Sequence, residues 1–208
     1  MALAVALLAA GAGRRMRGGD KLLEPVEGVA LLRHIATQAL AAGLGPVAVT
    51  LRTDAPARAA ALDGLALDQL AVPDADDGMS ASLKAAARWA QELGVDGLMI
   101  CPADLPELTA EDFVLLARSF DPKGPPLRAT AQDGTPGHPV LFPASLLPAF
   151  ASLGGDRGAQ SVLREHPPRF VALTAGHATT DLDTPEDWEA WRRTRQRRDP
   201  QRPQSAAP

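Results

Sequence analysis

The sequence predicts an α/β fold in which a mostly parallel β-sheet lies between two layers of helices. Residues 2–8 form a short, uncharged apolar run, which is typical of a strand buried on both faces. Strand-like and helix-like segments then alternate along the chain, as they do in βαβ units. Right-handed crossovers in such units place helices on both faces of the sheet. The chain of 208 residues is long enough to bury a core of this kind in one domain.

The individual elements follow from apolar spacing and from residues that start or stop helices. Gly43 ends the first helical pattern, Ser80 and Thr109 are expected to cap two later helices, and Thr184 with Pro185 begins the last one. An Asp133-Gly134 turn predicts a hairpin. The predicted strands are 2–8, 46–51, 70–72, 97–101, 127–132 and 169–173. The predicted helices are 29–42, a segment from 56, 80–93, 109–120, a helix that residues 154–159 open and that runs through 165, and a segment from 185.

Composition and charge exclude several classes of protein. A net charge of −4 argues against general nucleic-acid binding. No apolar run reaches the roughly 18 residues that a membrane span needs. The single Cys101 cannot form an internal disulfide, so a cytoplasmic protein is expected. Residues 192–208 are basic and rich in proline and polar residues. We therefore expect a domain over 1–191 and a tail over 192–208, disordered beyond about residue 198.

A loop of small residues follows the first predicted strand and is followed by cations. Residues 9–13 are alanine and glycine, and Arg15 and Lys21 come shortly after them. Free amides in such a loop can converge on an anion, and the two cations can neutralise its charge. The spacing matches neither a Walker A loop nor the GxGxxG of dinucleotide folds. The loop therefore indicates a polyphosphate site, with an ordinary solvated loop as the alternative.

Acidic residues stand where ligands gather in an open α/β sheet. Asp104 lies three positions after the end of the predicted strand 97–101, and ligands bind outside the carboxyl ends of such strands. An aspartate oxygen suits the magnesium ion that a nucleoside triphosphate brings, although an Asx-turn before Pro106 would also use an aspartate. Asp181 and Asp183 precede the last helix and are not needed to cap it.

Several segments together resemble the MobA-like nucleotidyltransferases, in particular the molybdenum cofactor cytidylyltransferases. The resemblance begins in the loop, where Leu8-Ala9-Ala10-Gly11, Arg15-Met16 and Lys21-Leu22-Leu23 match the family signature. Arg17 departs from it, because a glycine is usual there. The further matches occur in the family's order: Gly78-Met79-Ser80-Ala81-Ser82, Asp104-Leu105-Pro106, Gly137-His138-Pro139-Val140-Leu141-Phe142, Gly155-Asp156-Arg157-Gly158-Ala159 and Asp181-Leu182-Asp183-Thr184-Pro185-Glu186-Asp187.

The resemblance implies a Rossmann-like αβα fold of the nucleotidyltransferase (nucleotide-diphospho-sugar transferase) type and a set of site residues. It assigns catalysis to Arg15, Lys21 and Asp104, and it assigns Mg²⁺ to Asp104 with Asp183, although Asp181 remains an alternative. The implied nucleotide-binding residues are Leu8, Ala9, Ala10, Gly11, Gly13, Arg15, Lys21, Asp74, Gly78, Ser80 and Ser82. The implied acceptor-binding residues are Gly137, His138, Pro139, Gly155, Asp156 and Arg157.

The resemblance also implies a reaction. Leu-Ala-Ala-Gly is usual in the cytidylyl-transferring members and Leu-Ala-Gly-Gly in the guanylyl-transferring ones. We therefore expect transfer of CMP from CTP to the terminal phosphate of molybdopterin or molybdenum cofactor, with a molybdenum hydroxylase as the recipient of the product. Two alternatives stay open. One is a nucleotidyltransferase acting on a sugar or polyol phosphate, and the other is a non-catalytic carrier of molybdenum cofactor.

Overall fold

A seven-stranded β-sheet forms the centre of the protein in the computed structural model, which describes residues 1–13, 16, 18–155 and 158–198. The strands of this sheet are β1 (Leu3–Leu8), β4 (Val47–Leu51), β5 (Asp68–Ala71), β6 (Gly97–Pro102), β7 (Leu127–Thr130), β8 (Pro136–Pro143) and β9 (Arg169–Ala172). Two further strands, β2 (Pro25–Val26) and β3 (Val29–Ala30), pair with each other in a separate two-stranded sheet. The α-helices are α1 (Leu31–Ala41), α2 (Pro56–Ala61), α3 (Met79–Leu93), α4 (Ala110–Arg118), α5 (Gln160–Glu165) and α6 (Pro185–Arg198). Within the described residues, 3-10 helices cover Lys21–Leu23, Ala75–Asp77 and Ala144–Ser152.

The order of strands places the ends of β1, β4 and β6 side by side. The central sheet has the order β5-β4-β1-β6-β8-β7-β9, and the first four of these strands are parallel. Strand β8 is antiparallel to both β6 and β7, while β9 is parallel to β7. The predicted mostly parallel sheet is therefore confirmed. The loop after β1 and the residues after β6 emerge at the same edge of the sheet.

The alternation of side-chain size along β1 separates two cores. Leu3, Val5 and Leu7 point into the core beneath α1, α4 and α6. Ala4 and Ala6 face the other core, where α3 contributes further alanines. Because successive strand side chains point to opposite faces, one sequence of six residues serves both layers. Small residues on the α3 side let that helix approach the sheet closely.

Helix α6 is packed onto the domain through side chains between residues 188 and 195. Trp188 is only 1% exposed and forms an edge-to-face pair with Trp191. Further along, Arg192 bonds Glu24 at 2.7 Å and Arg195 bonds Glu27 at 2.9 Å. The sequence-based boundary at residue 191 therefore falls inside an ordered helix that continues to Arg198. Residues 199–208 lie outside the described residues.

Several local features differ from the sequence-based expectations. Gly78, not Ser80, occupies the N-cap of α3, because its φ of 92° turns the chain directly into the helix. Thr109 does form a capping box with Asp112, as expected. The short β2–β3 hairpin and the 3-10 helix over 144–152 were not predicted, because two-residue strands and a proline-containing 3-10 turn carry no clear periodicity. Within the described residues, no helix is both long and apolar enough to span a membrane.

Candidate functional site

A cleft of about 510 Å³ opens at the sheet edge where β1, β4 and β6 end. Its walls come from the loop after β1, the segment that carries Lys21, the start of α3 and the residues after β6. The lining residues are Leu8, Ala9, Ala10, Gly11, Ala12, Gly13, Lys21, Leu22, Arg52, Arg58, Ala75, Asp76, Gly78, Met79, Ser82, Pro102, Asp104 and Asp183.

Lys21 joins two carboxylates from distant parts of the chain within this cleft. Its Nζ donates to Oδ2 of Asp104 and to Oδ1 of Asp183, each at 2.5 Å. All three side chains are mostly buried, with 16–20% of each exposed. Burial by itself would lower the pKa of Lys21, but the charges and hydrogen bonds of Asp104 and Asp183 raise it above its ordinary value. The ammonium group therefore stays charged at neutral pH.

The loop after β1 offers backbone donors to the cleft. The Ala9 amide bonds the Thr50 carbonyl at 3.1 Å, which anchors the loop to β4. In contrast, the amides of Ala10, Gly11 and Ala12 have no acceptor in the described part of the chain. These amides lie on the cleft wall near a buried cation, an arrangement that suits phosphate oxygens.

Arg58 is a cleft residue that sequence reasoning missed. It enters from α2, is 4% exposed, and bonds Asp20 as well as the carbonyls of Ala9 and Gly11. Nothing in an alanine-rich helix distinguishes one arginine as a contact to a loop 38 or more positions earlier. The only sequence signal was the acidic Asp20 beside Lys21.

Most of the nucleotide-binding residues implied by the resemblance lie on the cleft wall. Asp74 and Ser80 do not line the cleft. Ser80 is buried instead, and its amide donates to the Gly155 carbonyl at 3.2 Å. Arg15 lies outside the described residues. Of the two alternative acids, Asp183 lines the cleft and Asp181 is exposed to solvent elsewhere. The cleft-lining residues that the family resemblance assigned to the nucleotide or to Mg²⁺ are Leu8, Ala9, Ala10, Gly11, Gly13, Lys21, Gly78, Ser82, Asp104 and Asp183.

Arg52 and the start of α3 form another part of the cleft wall. Arg52 bonds Asp54 at 2.8 Å and Asp76 at 2.9 Å, and these hydrogen bonds raise the pKa of the guanidinium. Met79 stands at the first position of α3, with its side chain 44% exposed. This wall was not predicted apart from Gly78 and Ser82.

The implied acceptor residues lie beside the cleft rather than on its wall. Gly137, His138 and Pro139 belong to β8, which pairs antiparallel with β6. The register places them next to the end of β6, from which Asp104 follows. Gly155 contacts the start of α3 through its bond from Ser80. Asp156 and Arg157 lie outside the described residues.

His138 is held in its neutral form. Burial, and then the nearby charge of Arg128, lower the pKa of His138 to about 4, although the charge of Asp104 opposes this shift. Its Nδ1 atom is buried and has no hydrogen-bond partner among the described residues. A neutral ring here is an acceptor or donor, not a cation.

We expect His138 to make the protein less stable in mild acid. In the unfolded chain the imidazole of His138 takes up a proton below about pH 6.5, whereas in the folded protein it stays neutral until about pH 4. The free energy of unfolding therefore falls as the pH drops through this window. Urea titrations measure the free energy of unfolding at pH 7 and at pH 5. Between these two pH values the wild type should lose up to about 2 kcal/mol more of it than His138→Asn does. An equal loss in both proteins would contradict the neutral assignment.

The two carboxylates are suited to a magnesium ion that arrives with a nucleotide. Since both bond the same Nζ, their oxygens lie within about 5 Å of each other. Mg²⁺ is usually bound by one or two carboxylates together with substrate phosphates and water. Among the described residues, no group of three His, Cys, Asp or Glu side chains could hold a metal. Asp104 and Asp183 thus fit the protein's share of such a coordination sphere.

A Rossmann-like sheet with these groups at its carboxyl edge is suited to nucleotidyl transfer. The chain belongs to the MobA-like NTP transferase domain family, whose model matches residues 5–170. The expected family and fold type are therefore confirmed.

Three curated relatives align with most of the chain. PucB, a purine catabolism protein of Bacillus subtilis (strain 168), is 29% identical over 89% of this chain and 94% of its own length. Nicotine blue oxidoreductase of Paenarthrobacter nicotinovorans is 30% identical over 86% and 91% of the two chains. A molybdenum cofactor guanylyltransferase of Cereibacter sphaeroides is 28% identical over 87% and 91%.

Solved structures share the same architecture. Rv0371c from Mycobacterium tuberculosis H37Rv superposes with a TM-score of 0.79 at 27% identity, covering 91% of this chain and 96% of its own. Its complex with manganese gives a TM-score of 0.75 at 25% identity, covering 91% and 97%. A nucleotidyl transferase from Methanothermobacter thermautotroptrophicus gives 0.76 at 21% identity, covering 95% and 99%, and shows the fold alone.

Proposed function

We propose that the protein transfers CMP from CTP to the terminal phosphate of a molybdopterin-type acceptor. A phosphate oxygen of the acceptor bonds to the α-phosphorus of CTP, the bond between that phosphorus and the β-phosphate bridging oxygen breaks, and pyrophosphate leaves. The observation that carries this proposal is the convergence of Lys21, Asp104 and Asp183 beside the free loop amides of one cleft. The loop amides and Lys21 would bind the triphosphate, since each presents a donor to its oxygens.

The chain's own residues supply binding, orientation and charge, which dominate catalysis of in-line phosphoryl chemistry. Mg²⁺, held by Asp104 and Asp183, would neutralise charge on the phosphates and the leaving pyrophosphate. Arg15, by its place in the family signature, is proposed to act with Lys21 on the phosphates. No general base is needed, because a phosphate monoester is largely a dianion near neutral pH.

Two features support a cytidine nucleotide and a bulky phosphorylated acceptor. Ala10 lines the cleft where the guanylyl-transferring pattern has the smaller glycine, and a pyrimidine needs less room than a purine. His138, Gly137, Pro139 and Gly155 lie beside the donor cleft, where they can receive a second substrate. In the family pattern Asp156 and Arg157 complete that region, and a molybdenum hydroxylase would receive the nucleotide product.

We expect CTP to raise the melting temperature more than GTP, ATP or UTP when each is added with Mg²⁺. A ligand at 100 times its dissociation constant adds about 2.7 kcal/mol to the free energy of unfolding. Thermal-shift measurements with all four nucleotides at equal concentration test this directly. A larger shift with GTP would replace the cytidylyl assignment by a guanylyl one.

Product analysis separates a transferase from a carrier. With molybdopterin, CTP and Mg²⁺, the wild type should release one pyrophosphate for each acceptor consumed. A carrier binds the nucleotide product but releases no pyrophosphate. Release with a sugar phosphate or polyol phosphate, and none with molybdopterin, would change the acceptor and keep the donor.

A further inference from the structure

The buried guanidinium of Arg58 contacts both ends of the loop that follows β1. Its Nη1 donates to the carbonyl of Ala9 at 2.6 Å and to that of Gly11 at 2.8 Å. Its Nε and Nη2 form a two-pronged pair with the carboxylate of Asp20, at 2.6 and 3.0 Å. One side chain from α2 therefore spans the loop from its first residues to the position before Lys21.

The bonds to the two carbonyls fix the direction of neighbouring amides. In a trans peptide the carbonyl of one residue and the N–H of the next point in opposite directions. With the Ala9 and Gly11 carbonyls turned toward Arg58, the amides of Ala10 and Ala12 must point away from it. These are amides that donate to no other described residue, so Arg58 sets the direction of donors that remain available to a ligand.

The pair with Asp20 extends the same control to Lys21. Asp20 also accepts a bond from the Leu22 amide at 3.0 Å, which begins the 3-10 turn over Lys21–Leu23. Arg58 thereby holds the turn that aims Lys21 at Asp104 and Asp183. A lysine could not replace it, because an ammonium lacks the planar fork that meets a carboxylate and two carbonyls together.

We propose that Arg58 is a positioning residue that fixes the triphosphate loop before the nucleotide binds. The proposal rests on the proposed function for the identity of the ligand, but its geometric part concerns the free protein. A buried ion pair is by itself weak evidence of stabilisation, since removing two charges from water is costly. The four hydrogen bonds of Arg58 to the loop and to Asp20 instead indicate that it fixes the position of the loop.

The test compares Arg58→Met with Arg33→Met in the full chain. Arg33 is a matched control because it also donates to two carbonyls, those of Ala61 and Asp63, but at the far end of α2. In the free protein, amide resonances of Ala10 and Ala12 should shift or broaden in Arg58→Met and stay unchanged in Arg33→Met. Calorimetry with CTP and Mg²⁺ should show at least a tenfold rise in Kd for Arg58→Met, and less than a twofold change for Arg33→Met.

Kinetics distinguish loop positioning from general destabilisation. In Arg58→Met the KM for CTP should rise more than kcat falls, while the KM for the acceptor changes less than twofold. If Arg58→Met does not fold, Arg58→Lys and Asp20→Asn should each raise the Kd for CTP at least threefold. Unchanged amide resonances with unchanged CTP affinity in any folded variant would overturn the proposal. If the wild type binds no nucleotide but the resonances respond as expected, the proposed function fails and the positioning of the loop stands.

Discussion

Asp104→Asn is expected to lower the rate of nucleotidyl transfer by on the order of a thousandfold or more. Asparagine keeps the size of the side chain and a hydrogen-bond acceptor for Lys21, so the cleft should keep its shape. It removes the negative charge with which Asp104 would hold Mg²⁺ against the triphosphate. The measurement is steady-state pyrophosphate release under saturating CTP, with circular dichroism and a thermal melt to confirm the fold.

Asp181→Asn is the matched control for this substitution. Asp181 precedes the last helix by a few residues, as Asp183 does, but it is exposed and does not line the cleft. Its asparagine variant should keep turnover within about twofold of the wild type, because surface substitutions have small effects. Equal losses in Asp104→Asn and Asp181→Asn, or full activity in Asp104→Asn, would contradict the site proposed above.

Lys21→Met should change two measurements in opposite directions. Transfer should fall by on the order of a hundredfold or more, because a charged donor to the phosphates is lost. In the absence of nucleotide, however, the affinity for Mn²⁺ should rise several-fold. The ammonium lies 2.5 Å from both carboxylates and competes with any cation for them. Electron paramagnetic resonance of free Mn²⁺ measures the second effect without any turnover.

A variant of an exposed lysine controls for the change in net charge. Lys123→Met removes the same charge from a solvent-exposed turn far along the sequence, so both transfer and Mn²⁺ affinity should match the wild type. If Lys21→Met instead binds Mn²⁺ more weakly than the wild type, the two carboxylates do not form the cation site.

The sequence was informative where a contact follows from neighbouring residues or from the general geometry of a parallel sheet. The loop at 9–13, Lys21 and Asp104 could be predicted to meet, because parallel strands end at one edge of the sheet and their following residues gather there. The capping residues Thr109 and Thr184 were predictable from local sequence alone, since a cap and its helix are neighbours in the chain.

Contacts between distant segments were the part that local patterns could not supply. Arg58 contacts a loop 38 or more positions earlier in the chain, and Arg52 contacts Asp76, which lies 24 positions later. No periodicity marks either arginine. Likewise, Asp181 and Asp183 both fit a sequence motif, and only the packing of the segment before α6 brings one of them to Lys21.

The attachment of α6 determines when the cleft can form during synthesis of the chain. Asp183 meets a lysine 162 positions earlier, and the helix behind it is fastened to Glu24 and Glu27, just beyond that lysine. Domains begin to fold while the ribosome is still adding residues. The strands that carry the loop and Asp104 can thus assemble first, but the cleft gains its second carboxylate only after Asp183 and helix α6 have emerged. A nascent chain therefore cannot present the finished cleft before residues 183–195 have left the ribosome.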